Sequence, residues 1–378
     1  MKNVILFGAS GNIGKQCIEI LKNNKDKFNL VAISVGKNVS ELDLILKEFK
    51  NIKKVYSTQK TEMNLKFKDV SFFNDNINSL FSTEDEIVIN ALSGFFGLQV
   101  TLKSIEKSLI LLNANKESFV TAGDLINLKL KEFPKAKIFP LDSEHCAIFQ
   151  CLETQNKPSK IYLTASGGSF RELTLEQTKN VSKTEALNHP NWNMGNKITI
   201  DSATMFNKAF EILEAYHLFK VKNIVTLIHP QAIIHSMVEF SDFSIKAQLS
   251  VPDMKQVINY FLNYPNRKKF TNQKAINFKE IVKLELKEID QLRFKPIKFA
   301  LDCINSKNSK AIALNAANEI CVDSFLKEKI NFFQITEIVE RIFNNTINFN
   351  YNNYEEIFNF DQEIRIETKR IIEGFINE

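Results

Sequence analysis

Glycine is scarce in this chain: only 11 of 378 residues, ten of them at or before Gly195. That count excludes a collagen-like repeat, and a 44% apolar content excludes a disordered chain. The five cysteines, Cys17, Cys146, Cys151, Cys303 and Cys321, form no CxxC pair and no dense cluster. Such scatter argues against a disulfide framework and suits a reducing compartment. No apolar run approaches the roughly 18–20 residues of a membrane helix. The opening MKNVILFG enters a strand at once, leaving no room for a signal segment. A cytoplasmic protein without a membrane partner is expected. A large charge of one sign is also missing, since 49 basic and 44 acidic residues leave only +5. No nucleic-acid partner is expected from that balance.

The length exceeds what one core usually supports, roughly 250–300 residues, so two or three domains are expected. Val4–Phe7, Leu30–Val35, Asp85–Leu92, Leu109–Ala114 and Ile138–Leu141 read as short buried strands. Ile13–Asn23, Ser40–Phe49 and Gly97–Ser108 read as helices between them. This alternation predicts α/β architecture with a parallel, doubly wound sheet. Next come strands at Lys160–Ser166, Ile224–Ile228, Ile234–Phe240 and Ser244–Leu249, the last two joined by a hairpin at 241–242. One long amphipathic helix is expected over Asp201–Phe219. The middle is therefore α+β. Residues 263–298 read as a linker with some local structure. Helical patterns at Phe299–Ile304, Ala311–Lys327, Ile335–Asn344, Tyr354–Phe360 and Gln362–Phe375 predict a C-terminal helical bundle. The expected division is 1–142 for a dinucleotide domain, 143–264 for a catalytic and dimerisation domain, 265–291 for a linker and 292–378 for a helical domain.

The scarce glycines mark the chemistry. GASGNIG (8–14) follows the first strand and opens a helix, where glycines let the backbone approach a pyrophosphate at the helix start. The second strand ends in Ser34-Val-Gly36-Lys37-Asn38 with no acid to bind ribose hydroxyls, and Lys37 suits a 2′-phosphate, favouring NADPH over NADH. Asp142-Ser143-Glu144-His145 follows another strand; if extended, the two acids point the same way. A divalent cation relieves their repulsion, and oxygen ligands favour Mg²⁺ or Mn²⁺. Glu211 could supply a third carboxylate or be a solvated helix residue. Ser166, Ser202, His189, Asn207 and Lys208 have the donors that a phosphate monoester needs, although the two serines equally suit turns or caps. Trp192 and Met194, in a polar loop without a core period, could close over a small substrate or pin the loop to the surface.

GASGNIG (8–14), GKN (36–38), NKES (115–118), LDSEH (141–145), SGGSFRE (166–172), HPNWNMG (189–195), KITIDSATMFNK (197–208), HPQAIIHSMVEF (229–240), VPDM (251–254) and LNAANE (314–319) together resemble the 1-deoxy-D-xylulose-5-phosphate reductoisomerase family nearly end to end. The resemblance implies a Rossmann-like N-terminal domain, a central catalytic α+β domain that also supports a homodimer, and a C-terminal helical domain. It implies Asp142, Glu144 and Glu211 as ligands of Mg²⁺ or Mn²⁺ and as catalytic residues together with Lys116. Lys116, Ser143, Glu144, Ser166, His189, Trp192, Met194, Ser202, Asn207, Lys208 and Glu211 become substrate residues. Gly8, Ala9, Ser10, Gly11, Asn12, Ile13, Gly36, Lys37, Asn38, Asn115, Glu117 and Gly195 become the NADPH shell. The implied reaction rearranges 1-deoxy-D-xylulose 5-phosphate by retro-aldol cleavage and aldol recombination, then reduces it to 2-C-methyl-D-erythritol 4-phosphate. Two rival readings are an NADPH-dependent dehydrogenase of a small aldehyde without rearrangement and a non-catalytic dinucleotide-binding regulator. Ser169, Asn196, Ala209-Phe210 and the glycine-free turn at Asp242–Ser244 depart from the family's usual residues without removing a chemical group from these sets.

Overall fold

The computed structural model describes residues 1–36, 40–59, 63–190, 192, 194–280 and 283–377. In chain order the elements are β1 (Lys2–Phe7), α1 (Asn12–Lys22), β2 (Phe28–Val35), α2 (Leu42–Glu48), β3 (Lys54–Ser57), α3 (Met63–Lys66), β4 (Ser71–Phe73), β5 (Ile87–Asn90), α4 (Gly97–Glu106) and β6 (Ile110–Asn113). Then follow α5 (Lys116–Glu132), β7 (Lys137–Pro140), α6 (Ser143–Cys151), β8 (Lys160–Ala165), α7 (Lys183–Ala186), α8 (Asn196–Thr204), α9 (Phe206–Phe219), β9 (Ile224–Ile228), β10 (Ile234–Glu239) and β11 (Ile245–Leu249). The chain ends with α10 (Met254–Asn263), β12 (Lys287–Glu288), α11 (Lys295–Ile304), α12 (Asn308–Leu326), α13 (Phe332–Asn345) and α14 (Tyr354–Asn377). These elements form two compact units. One comprises residues 1–115, 126–146 and 253–274; the other comprises 116–125, 147–252 and 275–378.

In the first unit, seven strands lie in the order β4-β3-β2-β1-β5-β6-β7, with every pairing parallel. Their uninterrupted apolar runs follow from burial on both faces; Val4–Phe7 and all of β5 are buried. This is the expected doubly wound sheet, with β1 beside β5 at the reversal of strand order, where such folds bind ligands. Helix α10 also belongs here. Its Lys255 pairs with Glu19 of α1 at 2.7 Å, and its Phe261 ring stacks on Phe139 at 5.1 Å.

The second unit holds a mixed sheet in the order β11-β10-β8-β9-β12. Strands β10 and β11 form the expected hairpin. Phe243 takes the left-handed conformation (φ 65°) in its glycine-free turn. The segment read as a linker contributes β12, which pairs with β9, and the first residues of α11.

Two helical expectations need correction. The helix expected over Asp201–Phe219 breaks at Met205, whose φ of 68° ends α8 and precedes α9. Periodicity does not register a single left-handed residue between two helices whose faces are both buried. Conversely, Tyr354–Phe360 and Gln362–Phe375 are one helix, α14. The intervening Asp361 is buried but satisfied by Arg365 one turn later, at 2.6 Å, so it does not interrupt the helix.

Candidate active site

The turn between β1 and α1 is built from glycine by necessity. Gly8 has φ +84°, and a Cβ there would lie 2.5 Å from the Ala91 carbonyl oxygen. A Cβ on Gly14 would lie 2.1 Å from the Gly8 oxygen. Ser34 Oγ accepts from the Gly8 N–H at 2.8 Å, and Ser10 Oγ accepts from Gly36 N–H at 3.3 Å, joining the ends of β1 and β2. Gly11 caps α1 without a side-chain bond, and no acid occupies the first turn; the start of this helix suits an anionic group. Ala9 is buried, Ile13 partly buried, and Asn12 accepts from the Gln16 amide at 2.8 Å. Lys37 and Asn38 lie outside the described residues.

Beyond β6, the buried Asn115 amide donates to the carbonyls of Leu92 at 3.0 Å and Gly94 at 2.8 Å. The tightness of that turn excludes a side chain at Gly97, whose Cβ would lie 2.4 Å from Asn115 Cγ. Asn115 therefore shapes the loop edging the sheet's carboxyl end.

Asp142–His145 is not extended, a correction to the alternation expected there. Asp142 precedes α6, its carbonyl accepts from Cys146 N–H at 2.9 Å, and its Oδ1 accepts from Glu144 N–H at 3.4 Å. An aspartate before a helix caps unsatisfied N–H groups, which converts the strand end into a helical turn. Ser143 Oγ donates to Glu144 Oε2 at 2.5 Å. The partly exposed carboxylates of Asp142 and Glu144 stand at one helix start as oxygen donors, a set suited to a hard divalent cation.

In the second unit, charges converge on Glu211, which is 1% exposed. Lys116 Nζ, at the start of α5, lies 2.7 Å from Asn207 Oδ1 and 3.2 Å from Glu211 Oε1. Lys208 Nζ pairs with Glu211 Oε2 and donates to the Thr164 carbonyl at 2.5 Å; the Asn207 amide donates to Glu211 Oε1 at 2.5 Å. Asn207, Lys208 and Glu211 recur at helical spacing on α9, which puts them on one face. Glu211 is thus no solvated helix residue.

The turn after β8 carries the second donor group. Ser166 Oγ lies 3.1 Å from His189 Nε2, while His189 Nδ1 accepts from Trp192 N–H at 3.0 Å. That acceptance assigns the ring proton to Nε2, which donates to Ser166 and leaves the serine hydroxyl proton to point elsewhere. Burial, assisted by the Arg171 charge, lowers the His189 pKa to about 4, so the ring is neutral near pH 7. Gly168 (φ +70°) lies against α8: a Cβ there would be 2.5 Å from the Ser202 carbonyl oxygen. Trp192 and Met194 are partly buried, and the Trp192 ring lies 6.4 Å from that of His235. Gly195 is exposed at the cap of α8, with open space around it.

Sequence reasoning passed over several supporting residues. Arg171 donates to the Ser166 carbonyl at 3.2 Å, and Arg293 donates to the carbonyls of Arg171, at 2.8 Å, and Phe170. Glu117, expected near a cofactor, is buried and paired with Lys197 at 3.1 Å. Lys197 opens the KITIDSATMFNK stretch and stands one helical turn from Asp201, but neither signal points to Glu117.

Family models match three stretches: 1-deoxy-D-xylulose 5-phosphate reductoisomerase over residues 4–123, its C-terminal domain over 138–219, and the DXP reductoisomerase C-terminal domain over 249–367. The chain is 41% identical to 1-deoxy-D-xylulose 5-phosphate reductoisomerase 2 of Bacillus thuringiensis subsp. konkukian, covering 97% of this chain and 98% of that one. It is 42% identical to the Listeria innocua reductoisomerase, over 98% and 100% respectively. A crystal structure of DOX-P reductoisomerase with NADPH, fosmidomycin and magnesium superposes with a TM-score of 0.91 at 33% identity, covering 99% of this chain and 98% of that chain. The Zymomonas mobilis enzyme with NADPH gives 0.89 at 33% identity, over 98% and 99%.

Proposed function

The chain belongs to the 1-deoxy-D-xylulose 5-phosphate reductoisomerase family, and from that premise we propose which of its residues carry the family's reaction. It is an enzyme that converts 1-deoxy-D-xylulose 5-phosphate to 2-C-methyl-D-erythritol 4-phosphate with NADPH and a divalent metal ion. In our reading Asp142, Glu144 and Glu211 hold the ion, and the all-oxygen donor set fits Mg²⁺ or Mn²⁺. Bound there, the ion polarises substrate oxygens and offsets charge developing on them. NADPH supplies the hydride for the reductive step. Gly8, Ala9, Ser10, Gly11, Asn12, Ile13, Gly36, Lys37, Asn38, Asn115, Glu117 and Gly195 form its shell. The tight glycine turn and the acid-free start of α1 support this placement.

Lys116, held by Asn207 and Glu211, orients the reacting end through its ammonium group. Ser143 and Glu144 contribute a hydroxyl and a carboxylate to the same end. The phosphate is bound by Ser166, Ser202, Asn207, Lys208 and the neutral imidazole of His189. Because His189 donates to Ser166 Oγ, the Ser166 hydroxyl proton can be directed to a phosphate oxygen. Phosphate binding is remote from the reacting carbons and supplies energy for orienting them. Trp192 and Met194 close over the substrate and exclude water. We further propose a cytoplasmic homodimer. No helix among the described residues is long and apolar enough to cross a membrane, and β11 ends its sheet with Ile245 50% exposed.

The convergence of Lys116, Asn207 and Lys208 on Glu211 carries this reading. It is tested with Asp142→Asn and Glu211→Gln. Both should keep folding yet reduce metal-dependent NADPH oxidation by about a hundredfold or more; near-wild-type turnover in either would contradict the ligand assignment.

A further inference from the structure

Lys197 stands on the first turn of α8, two residues beyond Gly195, and reaches two acids at once. Its Nζ lies 3.1 Å from Glu117 Oε1 and 2.7 Å from Asp201 Oδ2, one turn along the same helix. Glu117 is 6% exposed and Asp201 only 1%. Acids so enclosed need a counter-charge, because an unpaired buried carboxylate costs several kcal/mol. The ammonium also lies 5.1 Å from the centre of the Phe210 ring on α9, which helps to fix its direction.

Asp201 is held from its other side by the Asn318 amide at 2.8 Å. One residue further along α12, Glu319 accepts from the Asn315 amide at 3.0 Å and pairs with Arg365 of α14 at 2.7 Å. Lys197 therefore faces acids on three helices: Glu117 of α5, Asp201 of α8 and, through its charge, Glu319 of α12. Burial is the largest influence on Glu117 and works to raise its pKa, but the charge and hydrogen bond of Lys197, a backbone hydrogen bond and the Lys116 charge together hold the carboxyl below its ordinary value.

We propose that Lys197 is a positioning residue for NADPH: it fixes the carboxylate of Glu117 and couples it to α8, the helix that Gly195 caps. This rests on the proposed cofactor-side roles of Glu117 and Gly195. Without Lys197, Glu117 and Asp201 lose the cation that they share, and the Lys116 charge is left to act on Glu117 without the Lys197 contact. The carboxylate of Glu117 then loses the 3.1 Å contact that fixes its direction, and with it part of its hydrogen-bonding geometry toward a dinucleotide. Lys197 itself touches neither substrate nor cofactor in this scheme. Its effect passes through Glu117.

The test is a fluorescence titration of the full-length protein with NADPH. Lys197→Met removes the charge at similar length and should weaken NADPH binding by about tenfold. At saturating NADPH, the KM for 1-deoxy-D-xylulose 5-phosphate should move by less than about threefold. Lys197→Arg restores a cation and should recover NADPH affinity to within about threefold of wild type. A lower melting temperature with NADPH affinity within about twofold of wild type would assign Lys197 to packing alone and overturn the proposal. Should Lys197→Met fail to fold, Asp201→Asn keeps an acceptor for Asn318 while loosening the lysine. It should weaken NADPH by about threefold, and unchanged affinity would likewise overturn the proposal. Wild-type protein that binds NADPH but forms no 2-C-methyl-D-erythritol 4-phosphate would contradict the proposed function, while the Lys197 titration would still decide the positioning role.

Discussion

Gly168 lies so close to Ser202 that a single added methyl group would stand 2.5 Å from the Ser202 carbonyl oxygen. The same methyl would be 2.7 Å from Ala203 Cα, and both obstacles are backbone at the end of α8. Two proposed phosphate donors, Ser166 and Ser202, are thereby brought onto adjoining backbone.

Gly168→Ala should separate them. Its φ of +70° adds strain to the clash, so the turn must shift rather than absorb the methyl. The expected result is a KM for 1-deoxy-D-xylulose 5-phosphate raised by about tenfold or more, with NADPH affinity nearly unchanged. Steady-state kinetics with each substrate varied in turn checks this. Equal losses toward both would show a global defect instead.

Acid should weaken the fold through three histidines. Burial is the main reason that the pKa of each of His189, His217 and His235 falls to about 4 from an ordinary 6.5. The unfolded chain protonates these rings near pH 6.5, and the folded chain resists protonation until about pH 4. In that window the unfolded state binds more protons, so stability rises with pH and is lost as pH falls. Urea midpoints measured at pH 7.5, 6 and 5 should decrease in that order. A flat profile would mean that the rings are not enclosed as described.

Helix α5 is fixed to α9 by a ring in a glycine notch. A Cβ on Gly123 would lie 2.2 Å from Cγ of His217, beside the non-helical Ala122. Gly123→Ala should therefore destabilise by roughly 1–3 kcal/mol, the usual range for forcing an extra methyl into a packed site. The additional substitution His217→Ala should recover part of that loss by opening the notch. Thermal denaturation of the single and double variants measures it, and a Gly123→Ala protein as stable as wild type would refute the notch.

What could be read from the sequence was local. The GASGNIG turn declares itself because Gly8 and Gly14 are demanded by contacts within a few residues and by the strand next door. The helical spacing of Asn207, Lys208 and Glu211 likewise suffices to put three proposed site residues on one face. The arrival of Lys116 at Glu211, 95 residues away in sequence, depends on how α5 packs and leaves no trace in spacing. Met205 breaks a helical pattern through one backbone angle, and nothing in an apolar period encodes it. The Asp142 correction is different in kind. An aspartate followed by Ser143 and Glu144 is a helix-start signal, and it outweighs the extended alternation expected after β7. Lys197 opens the KITIDSATMFNK stretch, but nothing in that stretch names Glu117, the partner 80 residues away.

The most direct test follows NADPH oxidation by the wild-type protein with 1-deoxy-D-xylulose 5-phosphate, with and without Mg²⁺ or Mn²⁺, and identifies the product by NMR. The account predicts oxidation that requires the cation, with 2-C-methyl-D-erythritol 4-phosphate formed in a one-to-one ratio to the NADPH consumed, about one mole per mole. A straight-chain alcohol as the product, or turnover indifferent to the cation, would contradict it.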